Sequence, residues 1–450
     1  MRAEPATAAQ STTSGAPRDG ARWLLPAAAV LLIAVLALYL ADLATHLGSM
    51  AAMRDLVVYR NGGLIVRHVA PAYDGHRASP LYDWTGQNGV QFTYPPFAAV
   101  VFAVASVLSW TAMRWAMTLV SLAALGLSLW LVFGALGYSG RRNIRLGATL
   151  GASALALATE PVQQTLRLGQ VNLVLMLLVA VDLLTAPDGR TRWWHGIGIG
   201  LAAGVKLTPL IFIPYLLLVR RYRQAATAAG TFLATVALGY AILPRDSDTY
   251  WWHHLVLNAN RIVFLGTRGN QSLRGVLIRL AGSVTSGTAP WVVALILVVI
   301  VGLAAAAVLY RAGHPVAGML ACALTGLLVS PLSWDHHWVW VAPGIALLAH
   351  QGARARGAVR AAWWVAAGAV VLVFGAWPQF WDLSQSGLTP AGLFWYGPAT
   401  YFARGDQPWY HEFHWHGLQL LAGDSFVLAG LAALAALGVA AFRMRRQLDR

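Results

Sequence analysis

Apolar runs long enough to cross a bilayer recur from one end of this chain to the other, and that repetition decides its solvent. A hydrocarbon core about 30 Å thick holds no water to satisfy a stray N–H or C=O. Backbone inside it must close its hydrogen bonds within helices or a closed barrel, and continuous apolar runs of this length select helices. Hydrophobic residues make up 58% of the chain and charged residues 11%, so the expected fold is an all-α polytopic membrane protein. Residues 23–442 are read as a single transmembrane domain. The polar segment 1–22 is expected to be a disordered cytoplasmic tail, and 443–450 a basic cytoplasmic tail. The run Leu24–Leu40 lacks a convincing cleavage site and reads as a retained first helix.

A net charge of +15 would suggest nucleic-acid binding in a soluble protein. Here the arginines fall in short clusters between apolar runs, as in cytoplasmic loops, and no nucleic-acid partner is expected. Arg220-Arg221-Tyr222-Arg223, Arg354–Arg360 and Arg443–Arg450 are placed inside, with Arg311 in step. Segments 244–290, 331–338 and 378–423 then lie outside, rich in the Trp, Tyr and His of an interfacial belt. The expected spans between them are 224–243, 291–310, 316–330, 339–350, 361–377 and 424–441. In the first half the runs are 24–40, 96–110, 113–137, 146–159, 171–185 and 196–219. Counting each as one span puts Arg141, Arg142 and Arg145 outside, against the charge rule. Reading 96–110 as re-entrant and 196–219 as a hairpin turning near Lys206 removes the conflict. Both readings stay open, at about 11–12 transmembrane helices. The single cysteine, Cys322, excludes an internal disulfide.

Residues 42–95 form a long first outer loop in this reading, and it keeps Arg54, Arg60, Arg67 and Arg77 on the wrong side for the charge rule. A bound phosphate would explain them. For Arg67 and Arg77 the alternative is ion pairing with Asp74 and Asp83. The lone acid Asp55 stands among Arg54, Arg60 and Tyr59, ahead of a Gly62-Gly63 turn. A carboxylate so placed at a membrane surface suits proton abstraction beside an anionic lipid, although a solvated loop would look the same.

Of the 32 basic residues only Lys206 is lysine. It lies fourteen residues, or roughly 21 Å of helix, before Arg220, hence in the outer part of the bilayer. Pro209 should break the helix beside it. No acid lies within a helical turn, so a ligand phosphate is a candidate partner; snorkelling to the interface is the alternative. In Ser330–Trp338 the adjacent His336 and His337 cannot both point the same way. One is a candidate for a leaving phosphate, and Asp335 is either a second acid or the orienter of a histidine. His411, Glu412, His414 and His416, and the Trp251–His254 group, read as interfacial rather than metal-binding. No metal or other cofactor is expected. Asn270 and Gln271 have amides suited to sugar hydroxyls, and Gly169-Gln170-Val171-Asn172 reads as a helix-start loop.

Taken in order, Asp55–Tyr59 with Gly62-Gly63, Tyr94-Pro95-Pro96, Gly169–Asn172, Gly204–Pro209, Asn270–Ser272 and Ser330–His337 span most of the chain. Together they resemble the actinobacterial polyprenol-phosphate-mannose-dependent α-mannosyltransferases, membrane enzymes of the GT-C fold. The resemblance implies a polyprenyl-phosphate-mannose donor, a mannolipid acceptor (phosphatidylinositol mannoside or lipomannan) reached through membrane lipid, inversion at the anomeric carbon and an α-(1→2) link. It implies Asp55 as general base, with Lys206, His336, His337, Arg60, Tyr59, Asn270, Gln271 and Asn172 as the donor phosphate and sugar site. With the charge pattern, this makes the expectation a multi-pass protein of the cell membrane, active on its non-cytoplasmic face. A polyprenyl-phosphate-arabinose-dependent arabinofuranosyltransferase is the alternative within such enzymes. A transporter or lipid flippase is the competing class; the absence of an internal repeat counts against it.

Overall fold

The structure is a computed structural model. It describes residues 20–46, 53–69, 80–83, 91–185, 192–253, 255–256, 265–378, 390–396, 401–404 and 407–448. The expected tail 1–22 therefore lies almost wholly outside the described residues, although Gly20 already opens the first helix, Gly20–His46. Asp74, His76, Arg77 and His254 also lie outside them.

The helical expectation holds. Six described helices are long and apolar enough to cross a membrane: Trp23–Ala41, Trp110–Tyr138, Tyr222–Ile242, Thr288–Arg311, Gly357–Phe374 and Ser425–Arg446. They carry much of their apolar surface outward, as lipid-facing helices do. Between them run shorter apolar pieces, including Pro96–Ala105, Pro315–Val329 and Val341–Arg354. The only strands among the described residues are two antiparallel pairs, Trp377–Pro378 with Pro390–Ala391 and Tyr401–Arg404 with Gln407–Tyr410.

Contacts fix which helix ends lie together. Leu24 and Leu25 sit against Gly147, and Ala28 against Gly151, so the first helix runs parallel to Arg142–Leu157. Tyr138 Oη lies 3.2 Å from His350 Nδ1, which brings the Arg141–Arg145 turn to the same end as Arg354. Arg311 donates to Leu218 O beside Arg220. At the opposite end Trp338, Phe374 and Phe426 cluster, with ring centroids 4.3–6.0 Å apart. Arg141, Arg142 and Arg145 thus join the other basic clusters, and the conflict with the charge rule disappears.

The segment 196–219 resolves as a hairpin. The helix Ile197–Val205 and the residue before it carry Gly196, Gly200 and Gly204 on one face, four apart. A Cβ on any of them would collide with Gln224, Ala228 or Thr235 of the neighbouring Tyr222–Ile242 helix. Small residues at this spacing let two backbones approach closely where no water drives association. The contacts advance together, so the two helices run parallel. The chain returns through Thr208–Ile211 and Phe212–Leu218 to Arg221, at the start of that same helix. Its turn lies at Lys206, where the sequence expected a break: Lys206 is extended, at φ −151° and ψ 126°, and Pro209 follows.

Two expected loops are not loops. Within 42–95, Arg54–Val66 is a helix, and Gly62-Gly63 lies inside it rather than in a turn. A Cβ on Gly63 would strike Phe102 O, so the glycine pair admits the Pro96–Ala105 helix and packing overrides its poor helix propensity. At the other terminus Ser425–Leu448 stays helical through most of the expected tail 443–450.

Candidate active site

At the end opposite the arginine clusters, two short helices, Glu160–Leu168 and Asn172–Leu184, meet at an elbow of 115°. Gly169 closes the first of them in the left-handed region, at φ +68°, where a side chain would be strained. A Cβ there would also come within 2.6 Å of Leu56 Cβ. The elbow is thereby pressed against the start of the Arg54–Val66 helix, and Met53 N donates to Arg167 O at 2.9 Å.

Asp55 lies in the first turn of that helix, with its carboxylate 17% exposed. Gln170 Nε2 donates to Asp55 Oδ2 at 2.5 Å and to Tyr94 Oη at 2.9 Å. Tyr59 Oη donates to Gln170 Oε1 at 2.6 Å. Arg54 Nε stands 3.9 Å from Asp55 Oδ1. Asp55 and Tyr59, one helical turn apart, share a face; Arg60 is roughly 140° round the helix from Asp55 and turns elsewhere. Its Nε is buried without a partner among the described residues. Among the described residues no hydrogen bond joins Arg60 Nε to the lysine and histidines expected beside it. Arg67 is occupied too: its Nη1 donates to Ser106 O at 3.0 Å.

The other side of the elbow holds Lys206. Its ammonium is buried and donates to Asn172 Oδ1 at 2.9 Å. It lies 2.8 Å from His337 Nε2 and 5.9 Å from the centre of the Tyr94 ring. It does not snorkel. An ammonium has only donors, so His337 accepts through Nε2 and carries its own proton on Nδ1. That Nδ1 is buried with no partner among the described residues, and so is His336 Nε2. The two rings diverge, at 87°, because they follow each other in a 3₁₀ turn, Asp335–Trp340. Asp335 is bonded to His336: its Oδ1 accepts from His336 N at 2.7 Å and lies 2.9 Å from His336 Nδ1. Thr165 Oγ1 and Asn172 Nδ2 donate to His336 O at 2.9 and 2.8 Å, tying the turn to the elbow.

Lys206, His337 and Asn172 line a crevice whose remaining wall is largely hydrophobic, from Leu175, Met176, Val179, Ile211, Phe212 and Leu327. Such a lining suits an amphiphile with a long apolar chain and an anionic head.

Asn270 and Gln271, expected to meet a sugar, lie elsewhere and are fully buried. Asn270 Nδ2 donates to Leu265 O at 2.9 Å, and its Oδ1 accepts from Ser333 N at 3.1 Å. Gln271 Nε2 donates to Gly423 O at 2.6 Å, and its Oε1 accepts from Phe426 N at 3.2 Å. These amides staple outer segments together and have little left to offer a ligand. Gln170 and Tyr94 are the residues that sequence reasoning passed over. Each stood inside a motif, but nothing in the sequence joined them to an acid at position 55.

No described group of three or more His, Cys, Asp or Glu side chains is arranged to hold a metal ion. The His411 side chain is outside the described residues, and His253 pairs at the surface with Asp248 at 3.1 Å.

Residues 92–331 match the model of glycosyltransferase family 87. The chain is 33% identical over 311 residues, 67% of its length and 71% of the relative's, to a Mycobacterium tuberculosis protein named polyprenol-phosphate-mannose-dependent alpha-(1-2)-phosphatidylinositol mannoside mannosyltransferase. It is 35% identical over 343 residues, 74% of its length and 79% of the relative's, to the polyprenol-phosphate-mannose-dependent alpha-(1-2)-phosphatidylinositol pentamannoside mannosyltransferase of Mycolicibacterium smegmatis. A Mycobacterium tuberculosis protein of that same name is 34% identical over 400 residues, covering 86% of this chain and 87% of the relative. With a matching family model over more than half its length and relatives of this likeness over most of it, the chain is a membrane-embedded member of glycosyltransferase family 87.

Proposed function

We propose that this glycosyltransferase moves mannose from polyprenyl-phosphate-mannose to a mannosylated phosphatidylinositol, forming an α-(1→2) link with inversion. The relatives' names supply the donor and acceptor classes. The observation that carries the reading is the buried ammonium of Lys206, held by Asn172 and His337 on the wall of an apolar crevice. Two of its three N–H bonds are engaged, and the third, with no hydrogen-bond partner among the described residues, is available to a lipid phosphate.

In this mechanism Asp55 Oδ1 takes the proton of the acceptor hydroxyl as that oxygen bonds to the anomeric carbon. The bond from that carbon to the phosphate oxygen breaks on the opposite face, and polyprenyl phosphate departs with the electron pair. Lys206 and the His337 Nδ1–H meet the charge that grows on the phosphate. His336, held by Asp335, diverges from His337 and anchors the turn through its backbone oxygen. The reaction lies at the end away from the arginine clusters, so donor and acceptor reach it from the non-cytoplasmic leaflet.

The test is turnover by purified protein in lipid, with polyprenyl-phosphate-mannose and a phosphatidylinositol mannoside, read by mass spectrometry. Wild type should add one hexose in an α-(1→2) link. Asp55→Asn should lose about 10²–10⁴ in rate with donor binding intact. An Asn variant that keeps more than about a tenth of the wild-type rate would move the base elsewhere.

A further inference from the structure

We propose that Gln170 is the positioning residue for the Asp55 carboxylate, fixing one oxygen so that the other faces the acceptor. The inference rests on the reading of Asp55 as the base. Gln170 is 1% exposed, and every hydrogen-bonding group of its amide is engaged. Its Oε1 accepts from the Tyr59 hydroxyl, and its Nε2 supplies both protons, one to Asp55 Oδ2 and one to Tyr94 Oη. The Asp55 carboxylate determines which way the amide faces, since the Tyr59 hydroxyl can donate or accept. Reversed, the amide would present its oxygen to a carboxylate, acceptor against acceptor. Oδ2 is thereby pinned. Among the described residues Oδ1 has only the Arg54 guanidinium near it, at 3.9 Å, and is the oxygen left for a substrate proton.

Among the described residues, few titratable groups face this carboxylate. Arg54 and Tyr59 come from its own helix, Tyr94 from the segment before Pro95, and Lys206 from the hairpin turn. The Pro96–Ala105 helix, packed along the Asp55 helix, brings no titratable side chain, whereas the Glu160–Leu168 helix, which meets its start, carries Glu160 and Arg167. Gln170 is the neutral donor among them, so it orients the base without adding charge.

The elbow gives this its reach. Gln170 and Asn172 are two residues apart, one bonded to Asp55 and the other to Lys206. A single rigid corner of backbone therefore sets the spacing between the group that takes the proton and the group that receives the departing phosphate. In-line displacement depends on that spacing.

Gln170→Met keeps length and volume and removes the donor. Gln170→Glu keeps the shape and places a second carboxylate against Asp55. Both would be assayed in lipid alongside wild type and Asp55→Asn, normalised to folded protein. With Gln170→Met, kcat should fall on the order of ten- to a hundredfold, while the KM for polyprenyl-phosphate-mannose stays within about twofold. The acidic limb of kcat/KM should move to higher pH, because the ionised carboxylate has lost a donor. With Gln170→Glu that limb should move further, since two adjacent carboxylates resist sharing the ionised state, and activity should partly return at high pH. A purely structural glutamine would lower the melting temperature and leave the limb in place in the folded fraction. An unmoved limb in either folded variant, with Asp55→Asn inactive, overturns the proposal alone. An active Asp55→Asn overturns the reading of the base, and the proposal with it.

Discussion

Replacing Lys206 by arginine or methionine tests the physics of the site most directly. The lysine is 9% exposed, and its Nζ stands 2.9 Å from Asn172 Oδ1 and 2.8 Å from His337 Nε2. It is buried with two polar partners, so arginine cannot substitute by snorkelling. A guanidinium is a broad planar fork, and the site holds a compact ammonium with two neighbours already in place. Lys206→Arg must displace Asn172 or His337, and Asn172 also ties the elbow to His336 O. Lys206→Met keeps the stem and deletes the charge. A charge-assisted bond to phosphate contributes about 1.5–3 kcal/mol, which is roughly ten- to a hundredfold in affinity. Donor affinity in nanodiscs should therefore fall by about that factor with methionine, and turnover with it. Arginine should lie between methionine and wild type. The assay is equilibrium binding of a fluorescent polyprenyl-phosphate-mannose analogue, paired with turnover. Wild-type affinity in both variants would refute the phosphate site; wild-type behaviour of arginine alone would refute the argument from compactness.

Gly200→Leu should drive the hairpin off the Tyr222–Ile242 helix and cost about 1–3 kcal/mol or prevent folding, seen as a lower melting temperature in detergent. Arg279 and Asp424 form a buried pair 2.5 Å apart, so Arg279→Met should destabilise by about 3–5 kcal/mol while the folded remainder keeps wild-type donor KM. Asn270→Ala should behave likewise, at about 1–3 kcal/mol, because its bonds staple segments rather than hold sugar; a selective rise in donor KM would restore the sugar role. With Cys322 replaced by alanine, a membrane-impermeant maleimide should label a cysteine at Asn61 only from outside and one at Arg356 only from inside. Labelling in the reverse sense would invert the topology.

The sequence carried the membrane class, the odd lysine, the break at Pro209 and the divergence of His336 from His337. Each followed from a local rule: run length, composition, a missing N–H, the geometry of adjacent residues. What stayed hidden was set by partners far along the chain. Gln170 lies 115 residues from Asp55, and its motif reads as an ordinary helix start. The amides of Asn270 and Gln271 have the chemistry of sugar binders, and only their neighbours show that it is spent within the protein. Arg54–Val66 looked like a loop because glycines disfavour helix; the close approach of Phe102 to Gly63 makes them necessary. The three glycines before Lys206 were visible, but not the helix they would meet.

The hairpin at Lys206 has a mechanical consequence. A helix that crosses a bilayer answers to its thickness, tilting when the hydrocarbon is thin and straightening when it is thick. The long helices of this protein expose much of their surface to that force; Gly357–Phe374 has only 6% of its residues buried. The hairpin enters and leaves by the same end, and three glycine contacts fasten it along one neighbour. Its tip is braced by protein rather than by the opposite leaflet. Changes in lipid length are therefore absorbed by the lipid-facing helices, while the ammonium keeps its height relative to the carboxylate.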